Sequence, residues 1–185
     1  TGRLELLPLG AFTSKGDYFG SDLKREETPK LALGLSYDYH DNASRARGNT
    51  GSFLSQTRTL STIFADMMFK YNGFSVMAEY AIKSSDGSSV FVDETNSQEY
   101  HFVTGSALNI QAGYLLQSDW ELAARFTSVT PEAVLPQEDV SMYTLGISKY
   151  IDGHNLKVQS DFSMILEGDM EQSYLARLQF ELSFN

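Results

Sequence analysis

The chain has 185 residues and a formal net charge of −10, which argues against a nucleic-acid partner because such proteins present a basic surface. It contains no cysteine, which excludes disulfides, thiolate metal sites and thiol chemistry. No apolar run approaches the length of a membrane-spanning helix, although 42% of the residues are hydrophobic and the mean hydropathy is −0.26. A transmembrane β-barrel is compatible with this composition, because only half of each strand faces lipid.

The sequence predicts an all-β fold of nine strands, most of which alternate apolar and polar residues with a period of two. Pro8 argues against a regular first strand. In chain order the predicted strands are residues 3–12, 30–40, 61–71, 74–83, 107–117, 120–126, 141–151, 156–164 and 174–184.

The last predicted strand has one apolar face that begins and ends on aromatic residues. A strand of this length, apolar on one side, fits the lipid-facing wall of an outer-membrane barrel. A closing aromatic strand is also the usual sorting signal of bacterial outer-membrane barrels, although Asn185 follows it here. An amphipathic strand of a soluble β-protein would show the same alternation. The residues that carry this predicted sorting strand are Tyr174, Phe180, Leu182 and Phe184.

The predicted connections alternate in length. Residues 72–73, 118–119 and 152–155 form tight turns, and Asn72-Gly73 is a strong hairpin signal. The segments 43–60, 84–106 and 130–139 are long and polar. Short turns at one rim and long loops at the other are typical of outer-membrane barrels, which predicts an antiparallel transmembrane β-barrel.

Two features predict that residues 1–185 form a single domain that is the C-terminal part of a larger barrel. Nine strands is an odd number, whereas single-chain bacterial barrels have even numbers. Residues 13–29 also form a long connection at the rim that should carry short turns. The alternative is a self-contained barrel of about eight strands with residues 3–12 as an extension.

Several segments resemble the phosphate-selective porin O/P family, especially its Bacteroidetes-type members. The most specific part is residues 145–158, a strand, a Gly-His-Asn turn and a basic strand. The resemblance implies a sixteen-stranded barrel of the bacterial outer membrane, commonly trimeric, that passes small anions and whose second half these segments form. The resemblant segments are residues 4–10 (LELLPLG), 16–36, 64–80, 143–163 and the closing strand.

Anion pores need rings or ladders of basic residues along the path. On the predicted lumen face five basic residues nearly cancel six acidic ones, so phosphate selectivity does not carry over from the resemblance. The mixed charges favour a passive pore for small hydrophilic solutes. The predicted lumen-lining residues are Asp38, Asp66, Lys70, Glu79, Lys83, Glu121, Arg125, Lys157, Asp161, Arg177 and Glu181.

Counting outward from the Asn72-Gly73 turn places Asp66 opposite Glu79 on the polar face. Two facing carboxylates destabilise a sheet unless a cation or water intervenes. The pair is therefore either a cation site or charged constriction, or a structural pair neutralised by Lys70, Lys83 or a neighbouring strand. The structural reading is the better supported one.

The sequence offers no enzyme motif, metal site or cofactor site. No serine lies in a nucleophile motif, and the three histidines, including His154 in a predicted turn, lack metal-ligand spacing. The acidic segments 93–94 and 167–171 lack the alternating spacing of calcium loops.

Three functions remain open from the sequence. The leading hypothesis is a porin, trimeric and embedded in outer-membrane lipid. The second is a structural or docking barrel whose long loops bind a partner protein. The third is a soluble barrel with an apolar ligand inside, which requires the apolar faces to point inward.

Overall fold

A computed structural model of the protein describes residues 1–153, 155–168 and 171–183. Strands account for most of these residues, and one short 3₁₀ segment, Thr13–Tyr18, follows the first strand. None of the helical structure in this part of the chain is long and apolar enough to cross a membrane. The strands are Gly2–Leu6 (β1), Lys30–Arg45 (β2), Phe53–Tyr71 (β3), Phe74–Ser85 (β4), Val90–Val92 (β5), Glu99–His101 (β6), Gly105–Leu115 (β7), Trp120–Pro131 (β8), Val140–Asp152 (β9), Leu156–Glu167 (β10) and Glu171–Leu182 (β11).

Nine of these strands form one antiparallel sheet in the order β1-β2-β3-β4-β7-β8-β9-β10-β11. Each strand pairs with the sheet strand that precedes or follows it in the chain, and β5 and β6 form a separate hairpin. Among the described residues, β1 and β11 are the two edges of the sheet and do not pair with each other. The predicted nine-stranded, all-β antiparallel architecture is confirmed.

Period-two alternation gives the sheet two different faces. Along β2, Leu35 and Tyr37 are 53% and 49% exposed, whereas Ala32 and Gly34 are buried. We call the side that carries Leu35 the apolar face and the opposite side the polar face. The apolar face exposes large hydrophobic side chains on every long strand: Leu33, Leu35, Tyr37, Tyr39, Ile63, Tyr80, Ile82, Ile110, Tyr114, Leu122, Tyr143, Leu145, Ile147, Phe162, Tyr174, Leu178, Phe180 and Leu182.

The tight turns at residues 72–73 and 118–119 form as the sequence predicts. Asn72 and Gly73 have φ values of 48° and 87°, and Tyr71 pairs with Phe74 across them. Positive φ at both central residues matches the twist of a two-residue hairpin, which explains the preference for Asn-Gly. One connection departs from the predicted alternation, because β10 and β11 are joined by a short link at the end of the sheet that carries the long loops.

Several predicted boundaries are wrong. The first strand ends at Leu6 and not at residue 12, because the chain turns at Leu7 and Pro8, where Gly10 N donates to Leu7 O over 3.0 Å. The strands β2 and β3 continue beyond the predicted ends at residues 40 and 61. The connection 84–106 contains the β5–β6 hairpin that the sequence did not predict. Three residues singled out from the sequence, His154, Phe184 and Asn185, lie outside the described residues.

Candidate functional site: the polar face of the sheet

The strand register places all the predicted lumen-lining residues on the polar face. Asp66 pairs with Glu79, and Glu79 pairs with Asn109. Asp161 pairs with Arg177 on the last two strands. That this face lines a channel stays a prediction, but the sheet does bring these charges to one side.

Of the facing carboxylates of Asp66 and Glu79, Asp66 pairs with a cation of the first strand and Glu79 bonds a neutral amide. Arg3 Nη1 donates to Asp66 Oδ2 over 2.6 Å, and Arg3 Nη2 donates to Asp66 Oδ1 over 2.9 Å. Arg3 Nη2 also bonds Glu5 Oε2 at 3.1 Å, and Asn109 Nδ2 donates to Glu79 Oε2 over 2.8 Å. The described residues contain no group of three or more acidic or histidine side chains placed to hold a metal ion. The geometry therefore favours the structural reading of this pair.

Arg3 was not among the residues singled out from the sequence. Its signal is the alternation of Arg3 and Glu5 within the first predicted strand, which places both on the polar face. The neutralising strand could not be named beforehand, because Pro8 obscured the strand and its register with β2.

Two further ion pairs join β10 to β11 on the polar face. Lys157 Nζ lies 3.0 Å from Glu181 Oε2, and Arg177 Nη2 lies 3.0 Å from Asp161 Oδ1. Arg177 Nε also donates to Asp161 Oδ1 over 3.0 Å. Each pair joins residues that are directly opposite in the ladder, so four of the predicted lumen charges compensate one another locally.

A segment between β1 and β2, residues 12–26, covers the polar face at the short-turn end; we call it the inner segment. Lys70 is only 2% exposed beneath it, and its Nζ donates to Gly16 O over 2.7 Å and to Ser21 O over 2.6 Å. The buried Asp22 carboxylate accepts Gly73 N–H over 2.8 Å and Glu26 N–H over 3.1 Å. The inner segment is therefore bonded directly to the β3–β4 turn.

Further contacts hold both ends of the inner segment. Phe12 packs in a buried cluster with Ala32 and Met68. Arg25 Nη1 donates to Leu115 O over 2.8 Å, and Arg25 Nη2 donates to Leu116 O over 2.6 Å. The inner segment thus joins strands on both sides of the β3–β4 hairpin.

Glu121 lies near this end of the polar face and is also buried. Its Oε2 accepts the Tyr150 hydroxyl over 2.6 Å. A Cβ at Gly113 would lie 2.5 Å from Glu121 Oε1, so the glycine leaves room for the carboxylate. Two predicted lumen-lining residues, Lys70 and Glu121, therefore lie on the expected face but are covered by protein.

Loops cover the polar face at the opposite end. Val103 N donates to Ala46 O over 2.7 Å, and Lys83 Nζ donates to Arg47 O over 2.9 Å. A small hydrophobic core of Ala43, Leu60, Phe91 and Phe102 joins β2 and β3 near their loop ends to the β5–β6 hairpin. We call the β2–β3 loop and the connection between β4 and β7, which contains the β5–β6 hairpin, the packed cap.

A carboxylate fastens the β8–β9 loop to this cap. Glu132 Oε2 accepts hydrogen bonds from Ser89 Oγ and Thr104 Oγ1, each over 2.6 Å. Both hydroxyl residues are buried, Ser89 completely. Hydrogen bonds from Ser89 and then Thr104 lower the pKa of the Glu132 carboxyl below its ordinary value.

The remaining predicted charges differ in their surroundings. Asp38 accepts a hydrogen bond from the Thr1 hydroxyl. Arg125 is half-buried, and within the described residues its Nε is buried without a hydrogen-bond partner. Arg125 opposes Gln111 and Thr144, which carry no charge. Like Lys70 and Lys83, it forms no ion pair with a carboxylate within the described part of the chain.

Comparison with known proteins returns no family model, no curated protein and no solved structure that matches this chain. The resemblance to the porin family therefore rests on the sequence segments alone.

Proposed function

We propose that this chain is part of the wall of an outer-membrane β-barrel porin that passes small hydrophilic solutes. The observation that carries the proposal is the contrast between the two faces of one nine-stranded sheet. One face exposes large hydrophobic side chains on every long strand, with Leu145 at 70% and Phe180 at 72% exposure. The other face carries the ion pairs Arg3–Asp66, Lys157–Glu181 and Asp161–Arg177. Soluble proteins rarely leave so large an apolar surface uncovered, whereas lipid covers it in a membrane.

The spacing of aromatic residues on the apolar face suits a bilayer. Tyr71, Phe74, Tyr114 and Trp120 lie near the short-turn end. Tyr39 lies toward the loop end, opposite Ser61, which is ten residues before Tyr71 in β3. Ten residues span about 33 Å along a strand, or about 25 Å across a membrane at a tilt of about 40°. That height matches the apolar band of an outer-membrane barrel.

A cation near the aromatic rim fits the same arrangement. Lys149 Nζ lies 5.8 Å from the centroid of the Trp120 ring and donates to Ser118 O over 2.5 Å. A long basic side chain that extends toward a turn carbonyl keeps its charge at the membrane surface. The placement supports a membrane boundary at the short turns.

Closure into a complete barrel is part of the proposal. The outer edge of the twelve-residue strand β11 has no partner strand in the described chain, and such an edge in lipid requires one. The resemblance to the phosphate-selective porin O/P family supplies the expected closure, a sixteen-stranded and trimeric barrel. The balanced ion pairs of the polar face support weak charge selectivity.

Planar-bilayer recording of the full-length protein tests the proposal. We expect stable single-channel steps and a small reversal potential under a KCl gradient. A protein that inserts into the bilayer and never conducts would contradict porin function. A strong anion-selective reversal potential, with block by phosphate, would assign the selectivity of the resembled family to this protein.

A docking barrel is the second candidate, because both ends of the polar face are covered. The inner segment covers one end and the packed cap covers the other. Copurification of a stoichiometric partner, together with absent conductance, would favour this function. The third hypothesis, a soluble barrel with an apolar interior, receives no support from the packing, because the inner segment covers the polar face.

A further inference from the structure

An apolar stripe crosses the polar face of the sheet beside the loops. Directly opposed residues of five neighbouring strands form it, in the order Phe64, Ala81, Ala107, Val129 and Val140. On β3, β4 and β7 the neighbouring rows carry polar residues, with Asp66, Glu79 and Asn109 toward the short turns and Thr62 and Lys83 toward the loops. Strand alternation alone does not explain these exposed apolar residues on the polar face.

The stripe is open to solvent. Phe64 is 45% exposed and Val129 is 49% exposed, although both project from the polar face. Water in contact with such groups is unfavourable by about 25 cal/mol per Å² of apolar surface. A molecule that covers the stripe would recover that free energy.

A hollow of about 1420 Å³ lies over the stripe. Val103, Leu135 and Pro136 of the loops line it together with the stripe, so both the sheet and the loops contribute apolar groups. Small-molecule sites are typically mostly apolar hollows of about 300–1,000 Å³ with a few polar groups. Apolar and polar residues both line this hollow, and its volume is large enough for one such molecule.

The charged side chains that line the hollow favour a positively charged ligand. Glu138, Asp139 and Glu167 line it, and within the described residues none of them forms an ion pair. Lys83 is the basic residue of the lining, and its Nζ donates a hydrogen bond to the loop carbonyl of Arg47. Glu167 opposes Val140, which in turn opposes Val129, so a carboxylate lies beside the apolar stripe.

We propose that this hollow binds a small amphipathic organic cation. Its apolar part lies on Val129 and Val140, and its cationic group lies at the carboxylates of Glu138 and Glu167. Neighbouring strands are about 4.8 Å apart, so a molecule about 10 Å long reaches from Val129 to Glu167. Binding of such a cation does not require the sheet to conduct, so the inference goes beyond the proposed porin function.

The test is calorimetric titration of the purified full-length protein in nonionic detergent at low salt. The probe is benzyltrimethylammonium. Tetramethylammonium keeps the charge without the ring, and benzenesulfonate keeps the ring with the opposite charge. We expect benzyltrimethylammonium to bind about tenfold more tightly than either control. Equal binding of benzenesulfonate, or no binding of benzyltrimethylammonium, would overturn the proposal.

Two variants locate the site. Val129→Thr keeps the shape of the side chain and adds a hydroxyl, and Val92→Thr on β5, at 56% exposure, is its matched control outside the hollow. Glu167→Gln removes one charge, and Glu99→Gln on β6 is its control. We expect each hollow variant to weaken binding about threefold to fivefold and each control to leave it unchanged.

Heat-modifiable electrophoretic mobility verifies that each variant folds. Unchanged affinity in both folded hollow variants would contradict the assignment. Because calorimetry requires no conductance, a protein that conducts and does not bind the probe refutes the inference alone. A protein that binds the probe and never conducts refutes the porin function alone.

Discussion

Asp66 lies directly opposite Gly34 in the β2–β3 ladder, and its carboxylate fills the space that a side chain at position 34 would take. A Cβ at Gly34 would lie 2.5 Å from both carboxylate oxygens of Asp66. The missing side chain allows Arg3 of β1 to reach across β2 to Asp66 of β3. This glycine therefore connects the first strand electrostatically to the third.

The first prediction replaces Gly34 by alanine. The new methyl group would displace the Asp66 carboxylate and break the Arg3 ion pair, so we expect the free energy of unfolding to fall by about 1 kcal/mol. Gly146→Ala is the matched control, because its Cβ would lie 3.7 Å from the nearest atoms. For this variant we expect the free energy of unfolding to stay the same or to rise by up to about 1 kcal/mol, because alanine restricts the unfolded chain more than glycine does. Urea unfolding followed by fluorescence of the single tryptophan, Trp120, measures both, and equal losses would contradict the role of Gly34.

The second prediction tests which face of the sheet meets lipid. Leu178 and Leu175 lie on opposite faces of β11, at 65% and 39% exposure. Leu178→Arg would place a charge in the bilayer, at about 2–4 kcal/mol near the midplane, whereas Leu175→Arg would place it on the polar face. We expect folding into lipid vesicles, measured by heat-modifiable mobility, to fail mainly for Leu178→Arg. Equal tolerance of both changes would contradict a lipid-facing apolar face.

The third prediction concerns the inner segment. Asp22→Ala removes the acceptor of the buried Gly73 and Glu26 N–H groups, so we expect the segment to loosen by about 1–3 kcal/mol. Limited proteolysis should then cut within residues 12–26, and single-channel conductance should rise if the segment narrows the path. Glu27→Ala is the control, because Glu27 is exposed and forms no side-chain bond within the described residues. Faster proteolysis with unchanged conductance would show that the segment is no constriction.

The fourth prediction is a pH dependence of the packed cap. Because the pKa of Glu132 is lower in the folded protein than the ordinary value of 4.5, its stabilising effect is complete above that value. The effect is lost as the pH falls through the lowered folded pKa, where the protonated carboxyl no longer accepts both hydroxyl groups.

Hydrogen exchange of residues 132–139 measures this effect. We expect protection at pH 7 that decreases in acid, and Glu132→Gln should already lower protection at pH 7 because it removes the charge. Glu138→Gln is the control, since Glu138 is exposed and forms no hydrogen bond to the cap within the described residues. Protection that is independent of pH in the unchanged protein would contradict the role of the carboxylate.

The pairing of Asp66 with Glu79 is an example of a contact that residues close together in the chain predict. The Asn72-Gly73 turn fixes the register of β3 and β4, because a two-residue loop leaves one way to pair the strands. The same period-two alternation predicts which side chains of each strand share a face. Both signals depend on neighbouring residues, so nine strands and their two faces could be predicted.

The β5–β6 hairpin could not be predicted in the same way. Its strands have three residues each, too few for alternation to be read, and their packing depends on Leu60 of β3 and Phe102 beyond the hairpin. The extension of β2 to Arg45 depends on the same cap. These elements form because distant residues bury them.

The sequence by itself determined the antiparallel strands, the tight turns and the separation of apolar from polar side chains, since each follows from residues close together in the chain. Only the tertiary structure decided that Arg3 neutralises Asp66, that the inner segment buries Lys70, and that Phe64 and Val129 join in one stripe. Each of these contacts joins residues from separate strands or loops. Their formation depends on the register and packing of the whole sheet, which no local pattern specifies.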